Sequence, residues 1–214
     1  MCAIMEFISP GMSNDEINRI NRHCYDNQAD RWQRFPFKDV LPQWVLAYHD
    51  ALSLGNRVLE IGSGTGAFAN WFNENGFAVL CLDPSAEMVR RCQKKGLPTL
   101  QMTFQEYNGT ERFAMISAIL SLLHIPKNEF AIQIAKIASF LSPNGTFILG
   151  MIEGSTEGLI EEETGYPRFF STYSKQEILE ATNPYFSLLD CHTTYGSEGV
   201  TYLAFIFCLN KILS

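Results

Sequence analysis

The chain has 214 residues, enough for one domain of ordinary size; 46% of them are hydrophobic and 18% charged, which suits a packed core and excludes a disordered chain. A net charge of −7 argues against nucleic acid as a partner, because neutralising phosphates takes Lys and Arg in surplus. The six cysteines, at 2, 24, 81, 92, 191 and 208, have no metal-ligand spacing. No stretch approaches the roughly 20 apolar residues of a membrane span, and no basic-then-apolar leader opens the chain. The expectation is a cytoplasmic protein with reduced thiols, no metal and no membrane partner.

The first fifty-odd residues read as helical. Ser13 to Glu16 is a capping-box pattern, followed by the apolar edge of Ile17 and Ile20. An interruption is expected near Tyr25–Asp26, then a short helix carrying Ala29 and Trp32 that Pro36 stops, then an amphipathic segment from Val40 to Leu54. From Arg57 the pattern alternates. RVLEI (57–61) is a short apolar strand, Ala67–Asn75 a helix closed by Gly76, FAVLCLD (77–83) a second strand, and Ser85 to Lys95 a helix closed by Gly96. PTLQM (98–102) and RFAMISAIL (112–120) are strands three and four. Lys127–Leu141 is a long helix with SPNG (142–145) as its exit turn, and TFILGMI (146–152) is strand five.

Near-continuous apolar strands separated by helices predict an α/β fold with a parallel sheet covered on both faces. The ending breaks that rhythm. Glu153 to Thr172 reads as loop, Ser174 to Glu177 as a second capping box opening a helix to about Ala181. YFSLLDCHTTY (185–195) and VTYLAFIFCLN (200–210) are then separated by a four-residue Gly-Ser-Glu-Gly turn, so they must be antiparallel neighbours.

The stretch that carries chemistry is VLEIGSGTG (58–66). A strand that ends in Glu60 and turns through Gly62, Gly64 and Gly66 meets a nucleotide-like ligand. A nicotinamide fingerprint is G-x-G-x-x-G, whereas the spacing here is G-x-G-x-G with an acid ahead of it. An acid at the strand tip opposes a pyrophosphate and favours a sulfonium bearing an ammonium group. Asp83, at the tip of strand two, places a second carboxylate beside the first, either to accept two ribose hydroxyls or to cap the following helix.

The glycine turn, the acid after strand two and the terminal hairpin resemble the class I S-adenosylmethionine-dependent methyltransferases, of the small bacterial type, over about residues 55–210. FLSPNGTFILGMIEG (140–154) is similar to that family's exit turn and fifth strand, RFFSTYSKQEILEATNPYFSLLD (168–190) to its later segment, and HCYDNQADRW (23–32) to the segment that folds over the cofactor. The resemblance implies a Rossmann-like, seven-stranded, mostly parallel sheet of order 3-2-1-4-5-7-6 in residues 55–214, with an antiparallel C-terminal hairpin. Residues 1–54 would be a helical cap, and 153–173 a cap loop.

It also implies S-adenosylmethionine as cofactor, with S-adenosylhomocysteine as product. Glu60 would face the methionine end, Gly62, Ser63, Gly64 and Gly66 would let the backbone approach, and Asp83 would hold the ribose. Pro84 and Met88 would pack near the adenine, Phe104 and Gln105 would meet it, Ala118 would lie beneath the sulfonium, and Tyr25 would close the lid. Thr103 stands where family members often carry an acid after strand three, and Phe113-Ala114 replaces a frequent Phe-Asp.

For the acceptor, a small molecule methylated at oxygen or nitrogen is expected, by a monomer or homodimer. His124, after strand four, is either a general base or a loop histidine bonded to a backbone carbonyl. Glu153, Tyr166, Arg168 and Tyr173 are candidates to line the acceptor site. Asn183-Pro-Tyr-Phe186 looks like the "NPPY" signature of other methyltransferases, but it enters strand six and is read as a turn. The rivals are a protein or RNA acceptor, an NAD-dependent oxidoreductase and a non-catalytic adenosyl-binding module.

Overall fold

The computed structural model describes residues 11–32, 37–52, 55–160, 165–196 and 199–211. Helix α1 spans Asn14–Asn27 and α2 Leu41–Leu52. The alternating body follows: β1 (Arg57–Ile61), α3 (Ala67–Glu74), β2 (Ala78–Leu82), α4 (Ala86–Lys94), β3 (Thr99–Leu100), β4 (Phe113–Ile119), α5 (Lys127–Phe140) and β5 (Leu141–Ile152). Then come β6 (Glu157–Ile160), β7 (Arg168–Ser171), α6 (Lys175–Thr182), β8 (Phe186–Tyr195) and β9 (Thr201–Leu209). Short 3-10 turns sit at Ala29–Arg31 and Leu122–His124.

Seven strands form one sheet in the order β3-β2-β1-β4-β5-β9-β8. Counted within that sheet alone, this is the expected 3-2-1-4-5-7-6. The first five strands are parallel, and β9 pairs antiparallel with both β5 and β8. The period-2 alternation of side chains divides the core. Val58, Val79, Met115, Ile148 and Ile206 pack on one face with Phe37, Leu41 and Val45, and with Phe68 and Phe72 of α3. Leu59, Ile116, Phe147, Leu149, Phe205 and Phe207 pack on the other with Phe130, Ile134 and Ile137 of α5 and Ile178 of α6.

Two expectations are corrected. Helix α1 runs unbroken through Tyr25 and Asp26 to Asn27. An aspartate disturbs a helix interior by competing for nearby backbone groups, and here that competition is removed. The Asp26 carboxylate points across to α4, where Oδ1 accepts from Ser85 Oγ at 2.6 Å and from the Glu87 amide at 3.1 Å. The second correction concerns 153–172, which holds an antiparallel ladder, β6 on β7, from Glu157↔Ser171 to Ile160↔Arg168. Strands of four residues are too short for a period to show in sequence. Tertiary contacts hold this pair instead: Phe169 donates its amide to Asn21 Oδ1 of α1 at 2.7 Å, and Ser171 Oγ donates to the Ile125 carbonyl at 2.7 Å.

The SPNG segment is the loop-out in the β4–β5 pairing, where the register shifts between Phe113 and Met115 and Asn144 takes φ 61°. Ser174 and Glu177 form the reciprocal capping box expected of α6. The expected stop at Pro36 and part of the β8–β9 turn fall outside the described residues.

Candidate active site

The carboxyl ends of β1 and β2 lie side by side, with Glu60 paired to Cys81 and Ile61 to Leu82. The chain leaves β1 through Gly62, Gly64 and Gly66 at φ 67°, 53° and 73°, a left-handed conformation that side chains oppose. Two of these glycines are also required by packing: a Cβ on Gly62 would collide with the Cβ of Ser121, and one on Gly66 would lie 2.8 Å from Leu97 Cδ1 and 2.9 Å from Cys92 Sγ. A Cβ on Gly64 would meet nothing within 4 Å, so the middle of the turn faces open space.

The turn is clamped from beneath. Gly62 and Ser63 donate their amides to the Leu82 carbonyl at 2.8 and 3.0 Å. Gly64 donates to Asp83 Oδ2 at 2.8 Å, while Ser85 donates to Asp83 Oδ1 at 2.9 Å. Cys92 Sγ donates to the Gly64 carbonyl at 3.3 Å, and Lys95 Nζ to the Thr65 carbonyl at 2.7 Å. Asp83 therefore ties the glycine turn to the start of α4, whose N-cap is Ser85. The N-terminus of α3 has no side-chain cap.

Both carboxylates are buried, Glu60 at 4% and Asp83 at 6% exposure. Burial pushes the Glu60 carboxyl well above the usual range, with Cys92 and Asp83 adding to the effect. Burial also pushes Asp83 up to about 7 against the pull of its two backbone donors. Glu60 Oε2 has no hydrogen-bond partner. A buried, unpartnered carboxylate oxygen is costly unless a donor or cation arrives.

Beside the β2 tip is a cavity of about 190 Å³ whose walls include Pro84, Met102, Thr103 and Glu106, closed on the α1 side by Asn18 and Arg22. The acid that Thr103 displaces from the strand-three tip reappears three residues on. Glu106 Oε2 accepts from both the amide and the hydroxyl of Thr103, each at 2.8 Å. Phe104 and Gln105 face elsewhere with their carbonyls: Lys136 Nζ donates to both, at 2.8 and 2.9 Å, and sits over the Phe104 ring. Met88 and Ala118 are fully buried.

The opposite side of the site is built from α1, the turn after β4, and β7. His124 Nδ1 lies 2.8 Å from the Phe169 carbonyl, which can only accept, so Nδ1 carries the hydrogen. Nε2 then offers a lone pair, and Tyr25 donates its hydroxyl to it at 2.6 Å. Burial, together with the charge of Arg168, holds the imidazole neutral with its pKa down at about 3. The Tyr25 phenol is raised, chiefly by burial, and is close enough to Asp83 to feel its charge. Arg168, 6% exposed, donates Nη1 to the Tyr25 oxygen at 3.4 Å. Its guanidinium lies 3.9 Å over the Trp32 ring and 4.6 Å from that of Phe170.

The other acceptor-side candidates are placed apart from this cluster. Glu153 is exposed at the end of β5, its amide bonded to the Thr201 carbonyl. Tyr173 is buried with Phe130 and Lys127 against its ring. Tyr166 packs on His23 at 5.4 Å. Asn183, in the NPYF stretch, caps α6 with its amide on the Leu179 carbonyl.

Trp32, Phe170, Asp26, Ser121 and Glu106 were missed as site residues. Trp32, Phe170, Asp26 and Ser121 contribute through neighbours distant in sequence, and Glu106 through Thr103, three residues back. Asp26 and Trp32 lie in the 23–32 stretch that carries the resemblance, and Phe170 in the 168–190 stretch.

Among the described residues no cluster of His, Cys, Asp and Glu is arranged to hold a metal ion, and no helix is long and apolar enough to cross a membrane.

A parallel sheet ending in a glycine turn, a carboxylate on each of the first two strand tips and an antiparallel terminal hairpin define the class I methyltransferase fold. The chain belongs to the methyltransferase-domain family, whose profile matches residues 31–181. No curated protein matches it. Among solved structures it is similar to the 1,6-didemethyltoxoflavin-N1-methyltransferase of Burkholderia thailandensis, bound to 1,6-didemethyltoxoflavin and S-adenosylhomocysteine. That match has 20% identity over 97% of this chain and 95% of the other, with a TM-score of 0.76. It is also similar to the N-methyltransferase NodS of Bradyrhizobium japonicum with S-adenosylhomocysteine, at 15% identity over 91% and 97%, TM-score 0.69. The magnesium protoporphyrin IX methyltransferase of Synechocystis, with bound S-adenosylmethionine, matches at 16% identity over 94% and 99%, TM-score 0.64. At these identities the likeness is one of fold.

Proposed function

We propose that this protein is an S-adenosylmethionine-dependent methyltransferase acting on a small molecule at oxygen or nitrogen. The observation that carries the reading is the buried pair of carboxylates around an open glycine turn, with Glu60 Oε2 left without a partner. Two buried acids repel the pyrophosphate of a dinucleotide and favour a ligand that brings positive charge. When bound, S-adenosylmethionine supplies an electrophilic methyl group on a positively charged sulfur.

Glu60 would meet the ammonium group. The exposed face of Gly64 would admit close backbone approach, and the uncapped N-terminus of α3 would suit a carboxylate. Asp83 keeps lone pairs for ribose hydroxyls beyond the two amides it already accepts. The cavity between Pro84, Thr103 and Glu106 would take the adenine. Helix α1, bonded to α4 through Asp26 and to the turn after β4 through Tyr25, would cover the cofactor and exclude water.

On this reading His124 is a positioning residue. Its two nitrogens are both engaged, so it fixes the direction of the Tyr25 hydroxyl. The small-molecule acceptors named for the toxoflavin and porphyrin enzymes are consistent with the acceptor class. Titration calorimetry with S-adenosylhomocysteine and with NADH tests the proposal. Saturable binding of the former and none of the latter is expected; tighter binding of NADH would sink it.

A further inference from the structure

We propose that Lys136 is a positioning residue for recognition of the cofactor's adenine: it holds the 103–107 turn so that the Gln105 amide faces the base cavity. This deepens the methyltransferase reading above and rests on it. Lys136 belongs to α5, a helix that carries none of the glycine turn and neither of its acids. It reaches the site through the backbone that follows β3, and through that backbone alone.

The turn is fixed from two sides. Thr103-Phe-Gln-Glu106 has the capping-box pattern, and its bonds are reciprocal. Glu106 Oε2 accepts from the Thr103 amide at 2.8 Å, and Thr103 Oγ1 accepts from the Glu106 amide at 3.3 Å. Tyr107 closes the turn by donating its amide to the Phe104 carbonyl at 3.2 Å. From the α5 side, Lys136 Nζ donates to the Phe104 and Gln105 carbonyls at 2.8 and 2.9 Å and lies 5.0 Å from the centre of the Phe104 ring. Among the described residues these two carbonyls are the only hydrogen-bond acceptors it meets, and burial lowers its pKa. A partly desolvated charge directed at two successive carbonyls orders backbone, where a surface ion pair would order only side chains.

Peptide planarity turns that grip into a direction, because the C=O and N–H of a trans peptide point opposite ways. Drawing the Gln105 carbonyl towards α5 sends the Glu106 N–H the other way, where it meets Thr103 Oγ1. Drawing the Phe104 carbonyl towards α5 sends the Gln105 N–H to that same side, and among the described residues it has no acceptor there. Thr103 and Glu106, on either side of it, both line the cavity of about 190 Å³ beside the β2 tip. Thr103 occupies only one of the two Glu106 oxygens. An N–H donor and a carboxylate acceptor on one turn match N1 and the amino group along one edge of adenine. Hypoxanthine carries an N–H and a carbonyl at those positions, so it would set donor against donor and acceptor against acceptor.

The experiment titrates the full-length protein with S-adenosylhomocysteine and with S-inosylhomocysteine by calorimetry. The unmodified protein should prefer the adenine form by about tenfold or more. Lys136→Met, which keeps the aliphatic stem, should weaken S-adenosylhomocysteine by about tenfold and S-inosylhomocysteine by less than about threefold, so that the preference collapses. Lys136→Arg, which can still donate to both carbonyls, should hold affinity and preference within about threefold of the unmodified protein. A merely structural role would weaken both ligands alike. If Lys136→Met does not fold, Lys136→Gln is read by the same criterion. An unmodified protein without the preference, a methionine variant that keeps it or weakens both ligands equally, or an arginine variant that loses it as fully would overturn the proposal. Failure of the unmodified protein to bind S-adenosylhomocysteine would instead overturn the methyltransferase reading.

Discussion

The two sides of the site are built on opposite plans. The glycine-turn side comes from a run of neighbours in sequence, Glu60 to Gly66, joined by Asp83 one strand on, and it is acidic and hydrogen-bonded through backbone. The other side gathers Tyr25, Trp32, His124, Arg168 and Phe170 from three separate segments, and it is aromatic, with one buried cation at its centre. On the first side backbone conformation sets the shape, and an added Cβ at Gly62 or Gly66 would collide with a neighbour. On the second, side chains from separate segments set it through their contacts with one another. The difference teaches what holds each side in shape: left-handed glycines and close packing in the turn, and side-chain contacts between distant segments on the aromatic side.

Gly62→Ala should break the first side hardest. The new Cβ would collide with Ser121 while holding a left-handed backbone. A cost of about 3 kcal/mol is expected from overpacking and strain together. Urea denaturation would show a lower midpoint, and S-adenosylhomocysteine binding would be lost. Gly64→Ala, with open space around its Cβ, should cost less stability, which separates strain from collision.

Asp83→Asn should be next. Its amide can accept from one of the two backbone N–H groups but sets its own N–H₂ against the other, leaving one buried donor unpaired. Cofactor affinity should fall about tenfold, since a charged acceptor is replaced by a neutral one. The variant also reports on pH. A carboxyl whose folded pKa of about 7 exceeds its unfolded value near 4 stabilises the protein fully below pH 4. That stability is lost as pH rises to about 7. The thermal midpoint of the ligand-free protein should therefore fall across that window, and Asp83→Asn should flatten the fall. Some slope should persist, because the Glu60 carboxyl is displaced in the same direction. A midpoint that rises over the same range would contradict the burial of these acids.

Asp26→Ala should have the smallest effect. It removes two acceptor contacts at the N-terminus of α4 but leaves Ser85 as the local cap. About 1 kcal/mol of stability is expected to go. Hydrogen exchange should then quicken in α1 more than in the sheet, because that helix loses one of its links to the body.

The sequence on its own determined the alternating body, the positions of β1, β2, β4 and β5, the terminal antiparallel pair and the glycine turn with its two acids. All of these are local or periodic: apolar runs of strand length, glycines at positive φ, a capping box at Ser174. Tertiary structure decided the rest. Whether α1 continues through Asp26 depended on Ser85 and Glu87, about 60 residues away, being there to take its carboxylate. Whether 157–171 forms strands depended on Asn21 and Ile125 satisfying its edge. Whether His124 offers a lone pair depended on which partners its two nitrogens meet, and both, Tyr25 and Phe169, are remote in the chain. Backbone conformation is written residue by residue, but the state of a buried polar group is set by what folds against it.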